Sequence, residues 1–174
     1  RVRSSAASDV YKRQIDNSSG VGTNYTLSSA TVNVTERVIG LSGVRAFDGS
    51  NNASSADLSM SNLVSGENLT LSGSGTLPNA TVEMNKAITL GSLSISDGSG
   101  GKSSNYTLTG GSHTLDISQL SVNVTGSRQY DGTKTVNSSD LNLTNLVSGE
   151  TVSLTGAGTV ADENVGANKT VTTG

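Results

Sequence analysis

Acid–base chemistry is the first possibility to weigh, because two carboxylates recur in the same short pattern. Asp48 stands in the segment AFDG and Asp131 in the segment QYDG. A pair of carboxyl groups can serve as general acid and general base. These two, however, are separated by one whole repeat of the sequence, so we expect them to be about the length of one folded unit apart in space. An Asp before a Gly mainly hydrogen-bonds its own backbone in a tight turn. We therefore predict turns at Asp48-Gly49 and Asp131-Gly132, and no catalytic residues.

A histidine-based or cysteine-based site is also disfavoured by the composition. His113 is the single histidine of the chain, and it comes just before a segment in which apolar and polar residues alternate. We predict a solvated loop histidine there. The chain contains no cysteine, which excludes disulfides, thiolate metal sites and cysteine nucleophiles.

Calcium binding has some support from hard oxygen ligands. Asp97, Asp162 and Glu163 could supply carboxylates, which Ca²⁺ prefers. The acids are sparse at ligand spacing, and the spacing of a calcium-binding loop is missing. We predict neither a metal site nor a cofactor.

Two lysines occupy matching places, Lys86 after Asn85 and Lys169 after Asn168. We predict an exposed lysine or a surface ion pair at each. The alternative is a covalent crosslink to a carboxamide from elsewhere in the chain, because burial lowers the pKa of a lysine and makes it nucleophilic.

These residues belong to a sequence that repeats itself. Residues 57–77 read DLSMSNLVSGENLTLSGSGTL and residues 140–160 read DLNLTNLVSGETVSLTGAGTV, with 12 of 21 positions identical at an offset of 83. A fixed period of this length indicates an array of one folded unit. Arrays usually span distance or repeat a binding face.

The elements that carry this array are predicted to be strands. Apolar and polar residues alternate in segments such as Leu69-Thr70-Leu71 and Leu93-Ser94-Ile95, with glycine-rich punctuation between them. Alternation of this kind is typical of strands with one buried face, and short strands at regular spacing favour a sandwich. We predict an all-β chain of tandem small β-sandwich-like units, Ig-like or β-grasp-like, with a period of about 83 residues. We read Asp48-Gly49, Asp131-Gly132 and the Ser65–Glu67 segment as hairpin turns.

Four aromatic residues recur at matching positions. Tyr25 and Tyr106 stand in the segment NYTL, and Phe47 and Tyr130 precede the Asp-Gly pairs. A buried ring removes about 150–250 Å² from water. We therefore predict these four rings as structural core anchors; ligand stacking is the alternative.

The repeat also predicts the domain organisation. Residues 1–14 match nothing in the repeat and are expected to be a non-native or disordered leader. Residues 15–30 resemble the final strand of a preceding repeat. A complete β repeat unit is predicted for 31–114 and a truncated second unit for 115–174.

Charge and hydropathy restrict the partners. The net charge is −3; the leader is basic and the rest of the chain acidic, without the basic patch that nucleic-acid binders carry. No run of apolar residues is long enough to span a membrane. We predict no nucleic acid partner and no membrane span in this fragment.

Several segments together resemble a known family, the YDG-type tandem repeat of bacterial filamentous-haemagglutinin-like surface adhesins. The resemblance covers about residues 30–174 and is carried by residues 130–133 (YDGT), 146–150 (LVSGE), 164–166 (NVG) and Lys169. The first unit departs from the pattern, because Phe47 stands where the second unit has Tyr130, and VEMNK replaces NVGANK.

The resemblance implies an exported, β-rich stalk module, and it implies no catalytic residues to carry over. We therefore expect a non-enzymatic structural stalk or spacer of a bacterial cell-surface or secreted adhesin, extracellular or associated with the outer membrane. Its partners would be adjacent repeats of the same chain. The alternative is an adhesive binding module whose polar strand faces contact glycans or a host protein.

Overall fold

The structure is a computed structural model that describes residues 24, 25, 29 and 31–173. The chain divides into two compact units, residues 1–35 and residues 36–174, and the second is described here. Within it we call residues 36–118 the first repeat and residues 119–173 the second repeat. The predicted leader and most of the predicted segment 15–30 lie outside the described residues.

The described part of the chain is nearly all β, which confirms the predicted fold class. Helical structure within residues 31–173 is limited to three single turns of 3-10 helix, Ser55–Asp57, Ser103–Asn105 and Ser138–Asp140. The strands of the first repeat are β1 (Arg37–Val38), β2 (Gly40–Ala46), β3 (Asn52–Ser54), β4 (Leu58–Ser61), β5 (Leu69–Ser72), β6 (Ser74–Thr76), β7 (Glu83–Ala87), β8 (Ser94–Asp97), β9 (Tyr106–Thr107) and β10 (His113–Ser118). Those of the second are β11 (Asn123–Gly126), β12 (Thr135–Asn137), β13 (Leu141–Thr144), β14 (Ala157–Thr159) and β15 (Thr172–Thr173).

A four-stranded mixed sheet in the order β4-β2-β10-β7 is the largest element of the first repeat. β2 lies antiparallel to β4 and parallel to β10, and β10 lies antiparallel to β7. Alternation places the side chains of Leu41, Leu115 and Ile117 inside, where each is at most 2% exposed. Burying an aliphatic side chain of this size contributes about 1.5–3 kcal/mol, so these strands hold the core.

Three smaller strand pairs complete the first repeat: β3 with β6, β5 with β8, and β1 with β9. The last of these is parallel. The chain changes sheets at the predicted hairpins. Asp48-Gly49 joins β2 to β3 and Ser65–Glu67 joins β4 to β5, and in both cases the two strands belong to different sheets. The hairpin prediction is therefore wrong at these places, because the two strands on either side of each turn pair with other strands and not with each other.

Strand pairing in the second repeat follows that of the first at an offset of 83 residues. In the first repeat Gly40 pairs with Ser61 and Gly43 with Leu58; in the second Asn123 pairs with Thr144 and Gly126 with Leu141. The β3–β6 pairs and the β12–β14 pairs show the same offset. The two repeats thus share the register of these strands.

The second repeat has a much smaller core. Val136 and Val160 are buried in it, whereas Val124 and Val152 are 46% and 56% exposed. Their counterparts in the first repeat, Leu41 and Leu69, are buried against sheet partners that include β10 and β8. The described residues of the second repeat contain no counterparts of β8 and β10, so these apolar positions face solvent. β10 itself runs across the predicted boundary at residue 114 and pairs within the first repeat.

Candidate functional site

The two Asp-Gly positions form matching sharp bends. The Asp48 Oδ1 atom accepts a hydrogen bond from the backbone N–H of Ser50 at 2.9 Å, and the Asp131 Oδ1 atom accepts one from Thr133 at 2.9 Å. The glycine after each Asp has a positive φ, +77° at Gly49 and +72° at Gly132. Glycine adopts this conformation without the steric cost that a Cβ brings, which explains why each bend reads Asp-Gly.

An arginine fixes each bend from three residues upstream. Arg128 forms an ion pair with Asp131 and donates to the carbonyl oxygen of Thr133 at 2.6 Å. The hydrogen bond from Arg128 and those from Thr133 lower the pKa of Asp131 to about 2. A carboxyl group held ionised in this way stabilises a turn and is a poor general acid near neutral pH.

The bend in the first repeat uses the same contacts. Arg45 forms an ion pair with Asp48 and donates to the carbonyl oxygen of Ser50 at 2.5 Å. Partial burial raises the pKa of Asp48, but hydrogen bonds from the Ser50 backbone and from Arg45 outweigh it and leave the pKa below its ordinary value. The sequence analysis missed both arginines. The signal was present, since Arg45 and Arg128 both precede the aromatic-Asp-Gly segment with one residue between.

Of the four rings predicted as core anchors, the structure buries one fully. Tyr106 is 4% exposed, its hydroxyl accepts from the Val64 N–H at 3.1 Å, and it donates to Glu67. The hydrogen bond to Glu67 raises the pKa of Tyr106. This ring ties the loop between β4 and β5 to strand β9.

The other three rings are placed differently. Phe47 is half-buried and packs against the core, whereas Tyr25 and Tyr130 are 66% and 63% exposed. The prediction that Tyr25 and Tyr130 are core anchors is therefore wrong. The aromatic position before the Asp-Gly pair is therefore half-buried in the first repeat and exposed in the second.

Residues of the second repeat also lie close to Phe47. Phe47 and Val82 of the first repeat line one side of a groove of about 440 Å³, and Leu120, Leu146 and Val147 of the second repeat line the other. The two repeats approach each other closely at Gly49, where an added Cβ would lie 2.7 Å from the Val147 Cγ1 atom. The aromatic-Asp-Gly bend of one repeat thus meets the LVSGE loop of the next, and we call this contact the junction.

Lys86 contradicts the prediction of an exposed lysine. The residue is 4% exposed, and its Nζ donates to the carbonyl oxygen of Thr81 at 2.7 Å, to the Thr81 hydroxyl at 3.0 Å and to the Asn79 side chain. Glu83 lies 3.4 Å from the same nitrogen. The amine is buried because residues 79–83 fold over it and satisfy its hydrogen bonds.

Lys169 makes the corresponding contact in the second repeat. Its Nζ forms an ion pair with Asp162 at 2.5 Å and donates to the Asp162 carbonyl oxygen at 3.1 Å. Asp162 stands 83 residues after Asn79, so a carboxylate replaces the carboxamide. The hydrogen bond from Lys169 and that from the Asn164 N–H lower the pKa of Asp162. An ion pair was predicted at this position, whereas its partner was not.

The remaining candidates for chemistry serve the fold. His113 begins strand β10 and its Nε2 lies 2.8 Å from the carbonyl oxygen of Leu108, so the prediction of a solvated loop histidine is wrong. The Asp97 carboxylate accepts from the backbone N–H and the hydroxyl of Ser103, each at 2.8 Å. These hydrogen bonds lower the pKa of Asp97.

The described residues show neither a metal-binding cluster nor a membrane-spanning helix. No group of three or more histidine, aspartate or glutamate side chains stands there in an arrangement that could hold a metal ion. No helix of the described chain is long and apolar enough to cross a membrane.

Comparison with known families gives two adjacent matches to one model. Residues 35–115 and residues 116–174 each match the YDG domain. The two matched segments meet inside strand β10. No curated protein and no solved structure matches the chain.

Proposed function

Because this chain belongs to the YDG domain family over two adjacent segments, we propose that it is a structural spacer repeat of a bacterial cell-surface or secreted adhesin. Each repeat would hold its shape under tension and pass that tension to the next, keeping a distal binding region away from the cell. The proposed role is mechanical and non-enzymatic, and the proposed location is extracellular or at the outer membrane.

The observation that carries this proposal is the parallel pairing of an early strand of the first repeat with its last strand. β2 and β10 pair in parallel over six residue pairs, from Leu41 with His113 to Ala46 with Ser118. The chain enters this strand pair at the start of β2 and leaves it at the end of β10. In a parallel pair these are opposite ends, so tension along the chain shears all the bridging hydrogen bonds together.

Further hydrogen bonds extend this pairing at both ends. The Ile39 N–H donates to Thr107 at 3.0 Å and the Leu41 N–H to Ser112 at 3.0 Å. At the other end, the Phe47 N–H donates to Ser118 at 2.8 Å. Hydrogen bonds that must break together resist force better than bonds that break one at a time, which is the property a spacer under tension needs.

Single-molecule stretching of the whole chain tests the proposal. The chain has no cysteine, so pairs of introduced cysteines can set the pulling points. Glu36→Cys with Gln119→Cys loads β2 against β10 in shear. Glu36→Cys with Ser61→Cys is the matched control, because it peels the antiparallel strand β4 from β2. We expect a clearly higher rupture force in the first geometry; equal forces would contradict the mechanical role.

The cellular part of the proposal needs a separate measurement. Antibodies raised against residues 36–174 should label intact cells that carry this sequence, or their culture medium. Labelling only after the cells are broken would contradict a surface or secreted location.

A second candidate function is an adhesive binding module, and one observation favours it. The ring of Tyr130 is 63% exposed, and an exposed aromatic face is the surface on which sugars stack. The polar strand faces could add hydrogen bonds to a glycan or a host protein. A glycan array probed with the whole chain and with Tyr130→Ala would separate the two candidates, since binding lost in the variant favours the module.

A further inference from the structure

We infer that the exposed Tyr130 bend of this chain is a docking surface for the Leu63–Glu67 loop of a second copy, joined head to tail. This inference deepens the proposed spacer role and rests on it, because it extends the contact within the chain to a contact between chains. The described residues contain one complete example of the contact and, in addition, an exposed copy of each of its two halves.

The complete example is the junction. There the bend at Phe47 and Gly49 receives the loop that carries Leu146 and Val147. Phe47 is half-buried, and so is Val147. The two surfaces therefore shield each other within one chain, and each has a counterpart 83 residues away.

The first unoccupied half is the bend in the second repeat. Tyr130 stands where the first repeat has Phe47, and it is 63% exposed. Around Gly132, which corresponds to Gly49, an added Cβ would meet only the Tyr130 hydroxyl, at 3.9 Å. The Arg128 contacts hold this bend in the same form as the bend at Arg45. Among the described residues, the receiving surface is thus formed and exposed.

The second unoccupied half is the loop of the first repeat. Val64, the counterpart of Val147, is 45% exposed, which is more than its half-buried counterpart. The loop has the shape of the one at the junction: the N–H of Glu67 donates to Val64 at 3.0 Å as that of Glu150 donates to Val147 at 3.0 Å. Gly66 and Gly149 share a φ of +87°.

The two halves lie on different repeats and differ in shape, so the contact between copies is heterologous. A heterologous contact leaves one free bend and one free loop after each addition, and it therefore builds open chains or rings rather than closed two-fold dimers. With a second copy of this chain as the partner, the complex should lengthen as the protein concentration rises.

Sedimentation velocity of the full chain, at concentrations up to about 1 mM where weak interfaces associate, is the first test. We expect a sedimentation coefficient that rises continuously with concentration. Val64→Glu should weaken self-association by at least about tenfold, and so should Tyr130→Ser, because truncation of central apolar and aromatic contacts has effects of this size. Both residues are exposed, so circular dichroism should show an unchanged fold.

Two controls are matched to these variants. Val44→Glu places the same charge at another valine, 65% exposed on β2, and should leave association unchanged. Tyr130→Phe should retain it, because phenylalanine already fills the corresponding place at Phe47. A loss in either control equal to that in its partner variant would overturn the docking surface.

Mixing the two variants tests whether the contact between copies is head to tail. Val64→Glu keeps a working bend and Tyr130→Ser keeps a working loop, so an equimolar mixture should form heterodimers and nothing longer. A mixture that remains monomeric would overturn the inference, and so would a wild-type chain that does not associate or that stops at a two-fold dimer. If association fails while rupture under shear stays strong, only this inference falls and the spacer role remains.

Discussion

Gly49 of the first repeat lies against Val147 of the second, so closely that a methyl group at Gly49 would come within 2.7 Å of the Val147 Cγ1 atom. The two residues are far apart in sequence and belong to different repeats. Their contact shows that the bend after the aromatic residue serves the connection between repeats as well as the fold of one repeat. The glycine is needed for space in addition to its positive φ.

Replacing this glycine should separate the two requirements. Gly49→Ala introduces backbone strain of about 1–2 kcal/mol together with a clash against Val147, whereas Gly132→Ala introduces the strain alone. We expect the free energy of unfolding to fall further in Gly49→Ala, by about 1–3 kcal/mol for the overpacking. Equilibrium denaturation in urea measures both. Equal losses of unfolding free energy would mean that Val147 moves aside to accept the added methyl group at no energetic cost.

Truncating an aromatic residue should lower the melting temperature strongly in the first repeat and hardly at all in the second. Tyr106→Ala removes a ring that is 4% exposed, and we expect the melting temperature to fall by about 10 °C or more. Tyr130→Ala removes a ring that is 63% exposed, and we expect a change of about 2 °C or less. Differential scanning calorimetry of both variants checks this contrast. A large loss in Tyr130→Ala would restore the anchor role that the sequence predicted.

The acid range should report on the Arg128–Asp131 contact. The pKa of Asp131 is lowered to about 2, so the folded chain favours the ionised carboxylate. The stabilisation is then present above the unfolded value near 4 and is lost as the pH falls through about 2. Carbon-detected NMR titration of the Asp131 carboxyl group measures this value directly.

Arg128→Gln is the matching variant for that titration. The guanidinium is the main cause of the lowered pKa, so the pKa of Asp131 should rise towards its ordinary range near 4 when it is removed. Asp97, whose pKa is lowered by Ser103 instead, serves as the control and should be unchanged. A pKa of Asp131 that does not move would show that the hydrogen bonds from Thr133 suffice.

The buried lysine should matter more than its counterpart. Lys86→Met leaves the oxygens of Asn79 and Thr81 without their donor, and we expect a loss of about 1–3 kcal/mol of unfolding free energy. Lys169→Met removes a side chain that is 24% exposed and bound to Asp162, for which we expect about 1 kcal/mol or less. Urea denaturation of both variants gives the comparison. The reverse order would contradict the structural role given to residues 79–83.

The same lysine also bears on the crosslink that the sequence left open. The amine donates hydrogen bonds to Thr81 and Asn79, a geometry that suits an ammonium group rather than an amine attacking a carbonyl carbon. We expect an intact mass equal to that of the sequence. A mass lower by about one ammonia would show that Lys86 had formed an amide bond with Asn79, in which the carboxamide nitrogen leaves as ammonia and the Nζ–C bond replaces it.

The all-β class follows from the amino-acid sequence alone, because alternation of apolar and polar residues depends only on the period of a strand. It also pointed to Asp48-Gly49 and Asp131-Gly132 as turns, since that chemistry is local: the carboxylate hydrogen-bonds a backbone two residues on. The positions of Arg45 and Arg128 carry a local signal as well, because each arginine precedes the aromatic residue of its repeat with one residue between.

Strand pairing and the burial of the rings depend on contacts between distant parts of the chain, which the structure shows. Alternation shows which face of β2 is apolar, but its parallel partner β10 lies about 70 residues away, and no local signal selects it. Tyr106 and Tyr130 each stand at an aromatic position that recurs in the repeat, yet one ring lies under the loop at Val64 while the other faces solvent. A side chain is buried by whatever packs against it, and Phe47, which contacts the core of the first repeat and lines a groove with the second, is half-buried while Tyr130 is exposed.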